Sequence, residues 1–250
     1  MKLAAAIETF AAPFRSALAR AAKLGLAGVA FDAIGDLSPL RLSATGVRDL
    51  RQRLRSEQVA LAGMVGPLRR DLAEPTDLQP RLDRLRAALT LAADLGAGVV
   101  RIEAGPIPGP GPDHDRLVEA LGDLARHGDR VGAVLALTTE YDPAAKLIEL
   151  LNRFDTAALG VALAPARWLA QRIDPLEETP LLAGRIVQVL AEDARRRGGY
   201  VPLGHGDLDW LALAGALAAA DFRGWVVIER RGLAGETDVA AGAALLRRVL

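Results

Sequence analysis

Residues 21–33 have the sequence AAKLGLAGVAFDA, in which the end of a helix is followed by a short apolar strand. Upstream, residues 14–24 place apolar side chains on one face at helical spacing, and Gly25 is a suitable C-terminal cap. Downstream, residues 28–32 form an apolar run of strand length. The stretch therefore predicts one amphipathic helix followed by one buried β-strand.

The same alternation of helix and strand continues along the whole chain and predicts a parallel sheet. The predicted strands cover residues 2–7, 28–32, 60–65, 98–103, 132–140, 159–163, 186–190 and 225–229. The predicted helices between them include residues 14–24, 78–95, 116–127 and 208–220.

Eight strands with intervening helices is the count that closes a (β/α)8 barrel, and 250 residues is a typical length for that fold. An open doubly wound sheet is the alternative. It would require a glycine-rich turn after its first strand, and residues 7–13 do not provide one. We therefore predict a single α/β domain, a TIM barrel, over residues 1–250.

Two segments interrupt the regular alternation and are predicted to be long loops. Residues 104–114 contain four Pro and three Gly. Residues 193–207 contain three consecutive arginines followed by two glycines. In a barrel, both segments would lie at the C-terminal face, where active-site loops are found.

Charge and cysteine content exclude several kinds of protein. Lys and Arg number 31, as do Asp and Glu, whereas a nucleic-acid-binding domain normally carries excess positive charge. The absence of cysteine excludes disulfides and thiolate sites and is compatible with a reducing cytoplasm. No apolar run approaches the roughly 20 residues of a membrane span. We expect a cytoplasmic protein without a nucleic-acid or membrane partner; the pattern assigns no oligomeric state.

Six phrases, in chain order, are similar to those of one family of barrels. They are AAKLGLAGVAFDA (21–33), LGAGVVRIEAG (95–105), VLALTTE (134–140), LGVALAPARW (159–168), GRIVQVLAEDA (184–194), and VPLGHGDLDW with FRGWVVIE (201–229). Together they cover nearly the whole chain. The sequence resembles the xylose-isomerase-like TIM barrels, a family of sugar-phosphate isomerases and epimerases with a DNA-repair endonuclease branch. The resemblance implies the fold but not the reaction, because barrels support many chemistries.

The resemblance also implies a divalent-metal site, for an ion such as Mn or Mg, with four ligands after the fifth to eighth strands. The family residues Glu, Asp, His and Glu correspond here to Glu140, Ala164, Leu190 and Glu229. Neither Ala nor Leu can donate an electron pair to a metal ion. We therefore expect a lost or rearranged metal site and no bound cofactor, with Glu140 and Glu229 retained as the catalytic, proton-moving pair.

Further family positions are changed as well. Arg167 stands where the family has a His three residues after the Asp ligand, and Gln188 replaces the first His of the seventh-strand phrase. His205 replaces a Glu in the following loop. A family Lys is replaced by Glu192, whereas Asp193 matches the family pattern. A rearranged metal site would draw its substitute ligands from Glu103, Glu192, Asp193 and His205.

Without a metal ion, Glu140 and Glu229 need cationic partners, because two unpaired carboxylates in a confined cavity are costly. The available cations are Arg101, Arg167, Arg231 and the cluster of arginines at 195–197. We hypothesise that Arg167, together with Arg101, takes over the charge of the ion.

The residues predicted to contact a substrate are Arg101, Glu103, Arg167, Gln188, Arg196 and His205. Several have a structural alternative. Arg101 and Glu103 lie two apart on one strand and could form ion pairs with neighbouring strands. His205 could be held by the backbone of its loop, and runs such as 195–197 are more often solvated than used to clamp a phosphate or carboxylate.

Three hypotheses about function follow. The first is a sugar or polyol isomerase or epimerase, in which Glu140 and Glu229 move a proton and Arg167 stabilises an enediolate oxygen. The second is a non-catalytic relative that binds a small carbohydrate or acid, or serves as a structural partner. A metal-dependent nuclease is disfavoured, because the chain has three His and none occupies a family ligand position. A small carbohydrate-like ligand is thus the expected partner.

Overall fold

The structure is a computed structural model that describes residues 1–229 and 235–250. Eight parallel strands close into a barrel in chain order. The barrel strands are Lys2–Ala6 (β1), Gly28–Asp32 (β2), Ala60–Val65 (β3), Val99–Ile102 (β4), Val134–Thr138 (β5), Leu159–Leu163 (β6), Ile186–Ala191 (β7) and Trp225–Ile228 (β10). Two further strands, Asp193–Arg195 (β8) and Gly199–Val201 (β9), form a separate antiparallel hairpin. The predicted (β/α)8 barrel is confirmed.

Helices follow the barrel strands and cover the outside of the barrel. They are Phe14–Lys23 (α1), Ala44–Ser56 (α2), Leu78–Leu95 (α3), Pro112–Val131 (α4), Ala144–Leu151 (α5), Pro165–Ala170 (α6), Pro175–Glu178 (α7), Trp210–Ala219 (α8) and Glu236–Val249 (α9). The four predicted helices are all present, and their ends differ from the prediction by at most four residues. In α4, for example, Leu117, Leu121 and Leu124 are buried, as their spacing along one helical face predicts.

The interior of the barrel contains a layer of small apolar side chains, contributed by β1, β2, β3, β7 and β10 and by the residue that follows β6. This layer consists of Ala4, Ala6, Ala30, Ala62, Ala164, Leu190 and Val227. Leu190 is its largest side chain and is fully buried. Because its neighbours are mostly alanines, Leu190 supplies much of the volume that fills this level of the barrel.

Both segments predicted as loops contain regular structure, which corrects the prediction. Helix α4 already begins at Pro112, where the fixed φ of proline suits the first position of a helix. Within residues 193–207, strands β8 and β9 form a hairpin, and Gly199, the first residue of β9 after the turn, has a φ of 73°. Glycine adopts this left-handed conformation without the steric cost that a side chain brings.

Asp193 organises the segment that follows the hairpin. Its buried carboxylate accepts hydrogen bonds from the backbone N–H groups of Gly204 (2.8 Å) and Gly206 (3.2 Å). A Cβ atom on Gly206 would come within 1.9 Å of Asp193 Oδ1, so the close approach requires glycine. The carboxylate of Asp193 is therefore used to hold its own loop.

Among the helices of the described residues, none is both long and apolar enough to cross a membrane.

Candidate functional site

Acidic residues gather at the mouth of the barrel formed by the carboxyl ends of its strands. Parallel strands bring all of these ends to the same face, where the active sites of TIM barrels are built. The acidic residues at or just after strand ends are Glu8, Asp32, Glu103, Glu140, Glu192 and Glu229. Such a concentration of carboxylates requires nearby cations, which the chain supplies from helix α6 and strand β4.

Arg167 reaches this mouth from the first turn of α6. Strand β6 ends at Leu163, and Pro165 begins the helix directly afterwards, with its φ already suited to a helical turn. The backbone N–H of Ala164 donates to Thr139 Oγ1 at 2.7 Å, which fixes the junction between strand and helix. This short connection positions Arg167 over the barrel, with only 1% of its side chain exposed.

The guanidinium of Arg167 lies among four carboxylates. Its Nε donates to Glu192 Oε2 at 2.9 Å, and its Nη1 donates to Glu103 Oε1. Nη1 also lies 3.6 Å from Glu140 Oε2, and Nη2 lies 4.0 Å from Glu229 Oε1. The two acids of the predicted catalytic pair thus share one buried cation.

Burial alone would lower the pKa of Arg167, because desolvation disfavours the charged form. The charge and hydrogen bond of Glu192, followed by the charges of Glu103 and Glu229, outweigh burial and raise the pKa above its usual value. Arg167 therefore stays positively charged at any pH at which the protein is folded.

Arg101 supplies the second cation. It lies on β4, is buried, and donates through Nη2 to Glu229 Oε2. Glu103, two residues later on the same side of the chain, contacts Arg167 instead. Arg101 and Glu103 therefore do form ion pairs, but with residues that follow β10 and β6, which do not lie next to β4 in the barrel. These pairs cross the mouth and are part of the carboxylate cluster itself.

Other predicted contact residues lie away from this cluster. Gln188 is buried inside the barrel, two residues before Leu190 on β7, and its Nε2 donates to the carbonyl of Ala62 at 3.1 Å. Its side chain belongs to the packing of the barrel interior. The structure therefore does not bring Gln188 to the mouth, because the fully buried Leu190 lies between it and the strand end.

Arg196 and His205 are exposed and lie on the segment that includes the β8–β9 hairpin. Arg196 Nη2 lies 3.8 Å from Asp174 Oδ2, a partly solvated ion pair. The backbone N–H of His205 donates to the carbonyl of Pro202 at 3.0 Å. Neither side chain joins the four carboxylates around Arg167. Arg231, another predicted cation, lies outside the described residues.

Three residues at the mouth were missed from the sequence: Glu8, Asp32 and Tyr141. The backbone N–H of Asp32 donates to Glu8 Oε1 at 2.8 Å, which joins the ends of β1 and β2. Tyr141 follows Glu140 directly; the charge of Glu140, burial and a hydrogen bond to Glu140 raise the pKa of the Tyr141 hydroxyl. A search for acids after every predicted strand, not only the last four, would have found Glu8 and Asp32.

Burial, opposed by the backbone hydrogen bond from Asp32, raises the pKa of Glu8, and the charges of Asp32 and Glu229 raise it further. Burial also raises the pKa of Asp32; the charge of Arg101 opposes this, while Glu229 and Glu103 reinforce it. Both carboxyl groups are therefore more costly to ionise in the folded chain than in the unfolded chain.

Replacement of Asp32 by asparagine is expected to raise the free energy of unfolding at pH 7, by less than about 1 kcal/mol. Because the pKa of Asp32 is higher in the folded chain, its ionisation weakens folding as pH rises above the unfolded value. The gain should therefore disappear below about pH 4, where both states are protonated. Urea denaturation across this pH range measures it, with the exposed Asp36→Asn as control. A larger gain in acid than at pH 7 would contradict the assignment.

Within residues 1–229 and 235–250, no three His, Asp or Glu side chains are grouped so as to hold a metal ion. Glu103 and Glu192, named from the sequence as substitute ligands, both contact Arg167. Asp193 is engaged by the amides of its loop, and His205 lies apart.

Solved structures with the same fold include several enzymes. A xylose isomerase domain protein from Planctomyces limnophilus superposes with a TM-score of 0.86 at 20% identity, covering 99% of this chain and 95% of its own. D-Psicose 3-epimerase from Clostridium cellulolyticum H10 superposes with a TM-score of 0.83 at 15% identity, covering 100% of this chain and 99% of its own. The probable 3-DHS dehydratase AsbF from Bacillus anthracis gives 0.84 at 15% identity, covering 99% of both chains. At these identities the likeness establishes the fold alone.

A comparison with proteins of curated function finds no match. The family model described as xylose isomerase-like TIM barrel matches residues 18–249, nearly the whole chain. The closed eight-stranded barrel agrees with that match. The chain therefore belongs to the xylose isomerase-like TIM barrel family.

Proposed function

We propose that this protein binds a small carbohydrate or related polyol at the barrel mouth and, on a ligand that carries a carbonyl group, moves a proton without a divalent metal ion. The observation that carries the proposal is the guanidinium of Arg167 lying among four carboxylates. The family membership and the structural likeness to a D-psicose 3-epimerase support a carbohydrate as ligand.

The residues at the family's ligand positions do not fit a divalent ion. Ala164 and Leu190 have no donor atoms and are fully buried in the apolar layer of the barrel. A cation placed between Glu140 and Glu229 would lie close to the permanently charged Arg167, which repels it. The guanidinium instead supplies positive charge at this point from the chain itself.

Glu140 and Glu229, the acids at two of the family's ligand positions, are accessible enough to act on a ligand. Their side chains are 14% and 18% exposed, whereas that of Glu192 is only 1% exposed and forms a buried ion pair with Arg167. One carboxylate would remove a proton from a carbon next to a carbonyl group, and the other, in its protonated form, would return one. Arg167 and Arg101 would stabilise the negative oxygen that develops between these steps.

Binding without turnover is a second candidate, and one specific observation favours it. The charge of Arg167 is already offset by Glu192, Glu103, Glu140 and Glu229. A cation that is neutralised in this way has less positive potential to offer a developing oxyanion than a divalent ion would have. The two candidates predict the same ligand but different fates for its C–H bonds.

Exchange of substrate hydrogen with solvent deuterium distinguishes them. D-Fructose, D-psicose and D-xylose would be incubated with the protein in deuterated buffer containing EDTA, and deuterium at carbon followed by NMR. We expect exchange that falls at least about 100-fold in Glu140→Gln and in Glu229→Gln. The exposed Glu119→Gln on α4 is the matched control.

Binding of a sugar by calorimetry without deuterium exchange would favour the non-catalytic candidate. Exchange that appears only after Mn²⁺ is added would contradict the metal-independent proposal.

A further inference from the structure

A second concave feature lies beside the mouth, between the segment after β2 and the segment after β3. It is a cleft of about 500 Å³. Its wall includes Ala33, the residue that directly follows Asp32 at the end of β2. Among the described residues, its charged lining consists of Arg41, Arg69, Arg70, Arg81, Arg84 and Asp77. The cleft is thus rich in guanidinium groups, whereas the adjacent mouth is rich in carboxylates.

Arg81 forms the buried part of this cleft. Its side chain is almost entirely buried, and Nη1 donates to the carbonyl of Asp71 at 2.6 Å, while Nη2 donates to that of Thr76 at 3.0 Å. Within the described part of the chain, its partners are carbonyl groups and not carboxylates. Carbonyl groups satisfy the hydrogen bonds of a guanidinium but leave its charge in place. Arg81 therefore holds the segment after β3 and also makes the cleft more positive.

Arg69 and Arg84 present the charges that are available to a ligand. Arg69 is exposed and Arg84 is half-buried. Neither has a hydrogen bond or ion pair with any residue in 1–229 or 235–250. By contrast, Arg70 pairs with Glu74 at 2.5 Å, and Arg41 lies 3.7 Å from the exposed Asp36.

The cleft also lies at the start of helix α3, since Arg81 and Arg84 belong to its first two turns. The N-terminal end of an 18-residue helix adds positive potential to that of the guanidinium groups. Guanidinium groups match the oxygens of both phosphate and carboxylate in a forked geometry. A volume of about 500 Å³ is in the range of small-molecule sites.

We propose that this cleft binds the anionic group, a phosphate or a carboxylate, of a sugar ligand whose hydroxyl-bearing part occupies the barrel mouth. The second half of this statement rests on the function proposed above, whereas anion binding by the cleft does not. Arg69 and Arg84 contact the anion, and Arg81 keeps their segment in place. Neutral sugars are then poorer ligands than sugar phosphates or sugar acids.

Calorimetry with three probes tests this inference: inorganic phosphate, D-gluconate and the neutral D-glucitol. The variant is the double substitution Arg69→Gln/Arg84→Gln, and the charge-matched control is Arg126→Gln/Arg130→Gln on the exposed face of α4. We expect the Kd of phosphate, of gluconate or of both to rise at least about tenfold in the variant and to stay unchanged in the control. The Kd of D-glucitol should not change in either.

The phosphate and gluconate arms show which anion the cleft prefers. Equal anion affinity in the variant and the control would overturn the proposal, as would no binding of either anion to the parent protein. Binding of a DNA duplex without binding of the small anions would also overturn it. If instead the proposed binding of a carbohydrate at the barrel mouth were wrong, the result would differ: phosphate would still bind to the cleft, whereas D-glucitol would not bind. Thermal melts of both variants check that they fold, which is expected because neither Arg69 nor Arg84 is buried.

Discussion

Replacement of Arg167 by methionine is expected to lower the free energy of unfolding by about 3–5 kcal/mol, as when one partner of a buried ion pair is removed. The reason is the sealed carboxylate of Glu192, which is 1% exposed and whose ion pair with Arg167 would be lost. Glu140 and Glu229 would also lose their shared cation. Urea denaturation at pH 7, monitored by circular dichroism, measures the loss.

The double variant Arg167→Met/Glu192→Gln is the control for this explanation. Because the glutamine carries no charge, the double variant should be more stable than Arg167→Met alone. Lower pH should also reduce the difference in unfolding free energy between Arg167→Met and the parent protein. The reason is that the carboxylates that lose their cation become easier to protonate. A loss below about 1 kcal/mol for the single variant would show that Arg167 is a solvated surface charge.

Replacement of Leu190 by alanine is expected to cost about 2–5 kcal/mol of unfolding free energy. Leu190 is fully buried, and the layer around it consists of one valine and five alanines. Short side chains cannot extend into the space that Leu190 would leave. The strands cannot move inward either, because each is hydrogen-bonded to two neighbours in the closed barrel. The cavity therefore remains and its cost is not relieved.

Leu211→Ala on helix α8 is the matched control, since Leu211 is 68% exposed. Its effect should stay within about 0.5 kcal/mol. If Leu190→Ala were equally mild, the interior of the barrel would be a solvated cavity with room for a ligand or ion. Chemical denaturation of both variants under the same conditions makes the comparison.

The strands were predictable because buried apolar runs separated by amphipathic helices have a strong periodic signal. Six of the eight predicted strands have the observed ends or differ from them by a single residue at one end, as Leu159–Leu163 and Trp225–Ile228 illustrate. The hairpin of β8 and β9 was not predictable in the same way. Its strands have only three residues each, and the carboxylate of Asp193 that anchors the segment accepts hydrogen bonds from backbone amides 11 and 13 residues away.

The candidate site was predicted in part. The sequence suggested that Arg167 accompanies Glu140 and Glu229, and the structure places its guanidinium 3.6 Å and 4.0 Å from their carboxylates. Strand periodicity could not show that Glu192 is the closest fully buried partner, because that depends on how α6 turns over the barrel. Gln188 was predicted to lie at the mouth because it matches a family position. That match did not show how deep the residue lies in the barrel, where the buried Leu190 separates it from the end of the strand.

Titration of the EDTA-treated and dialysed protein with Mn²⁺ by calorimetry tests the central claim that Arg167 takes the place of a metal ion. We expect no saturable binding at the barrel mouth, and we expect Glu140→Gln/Glu229→Gln to give the same titration as the parent protein. One Mn²⁺ bound per chain, and lost in that double variant, would show that the two acids hold an ion despite the guanidinium, and that Arg167 does not replace it.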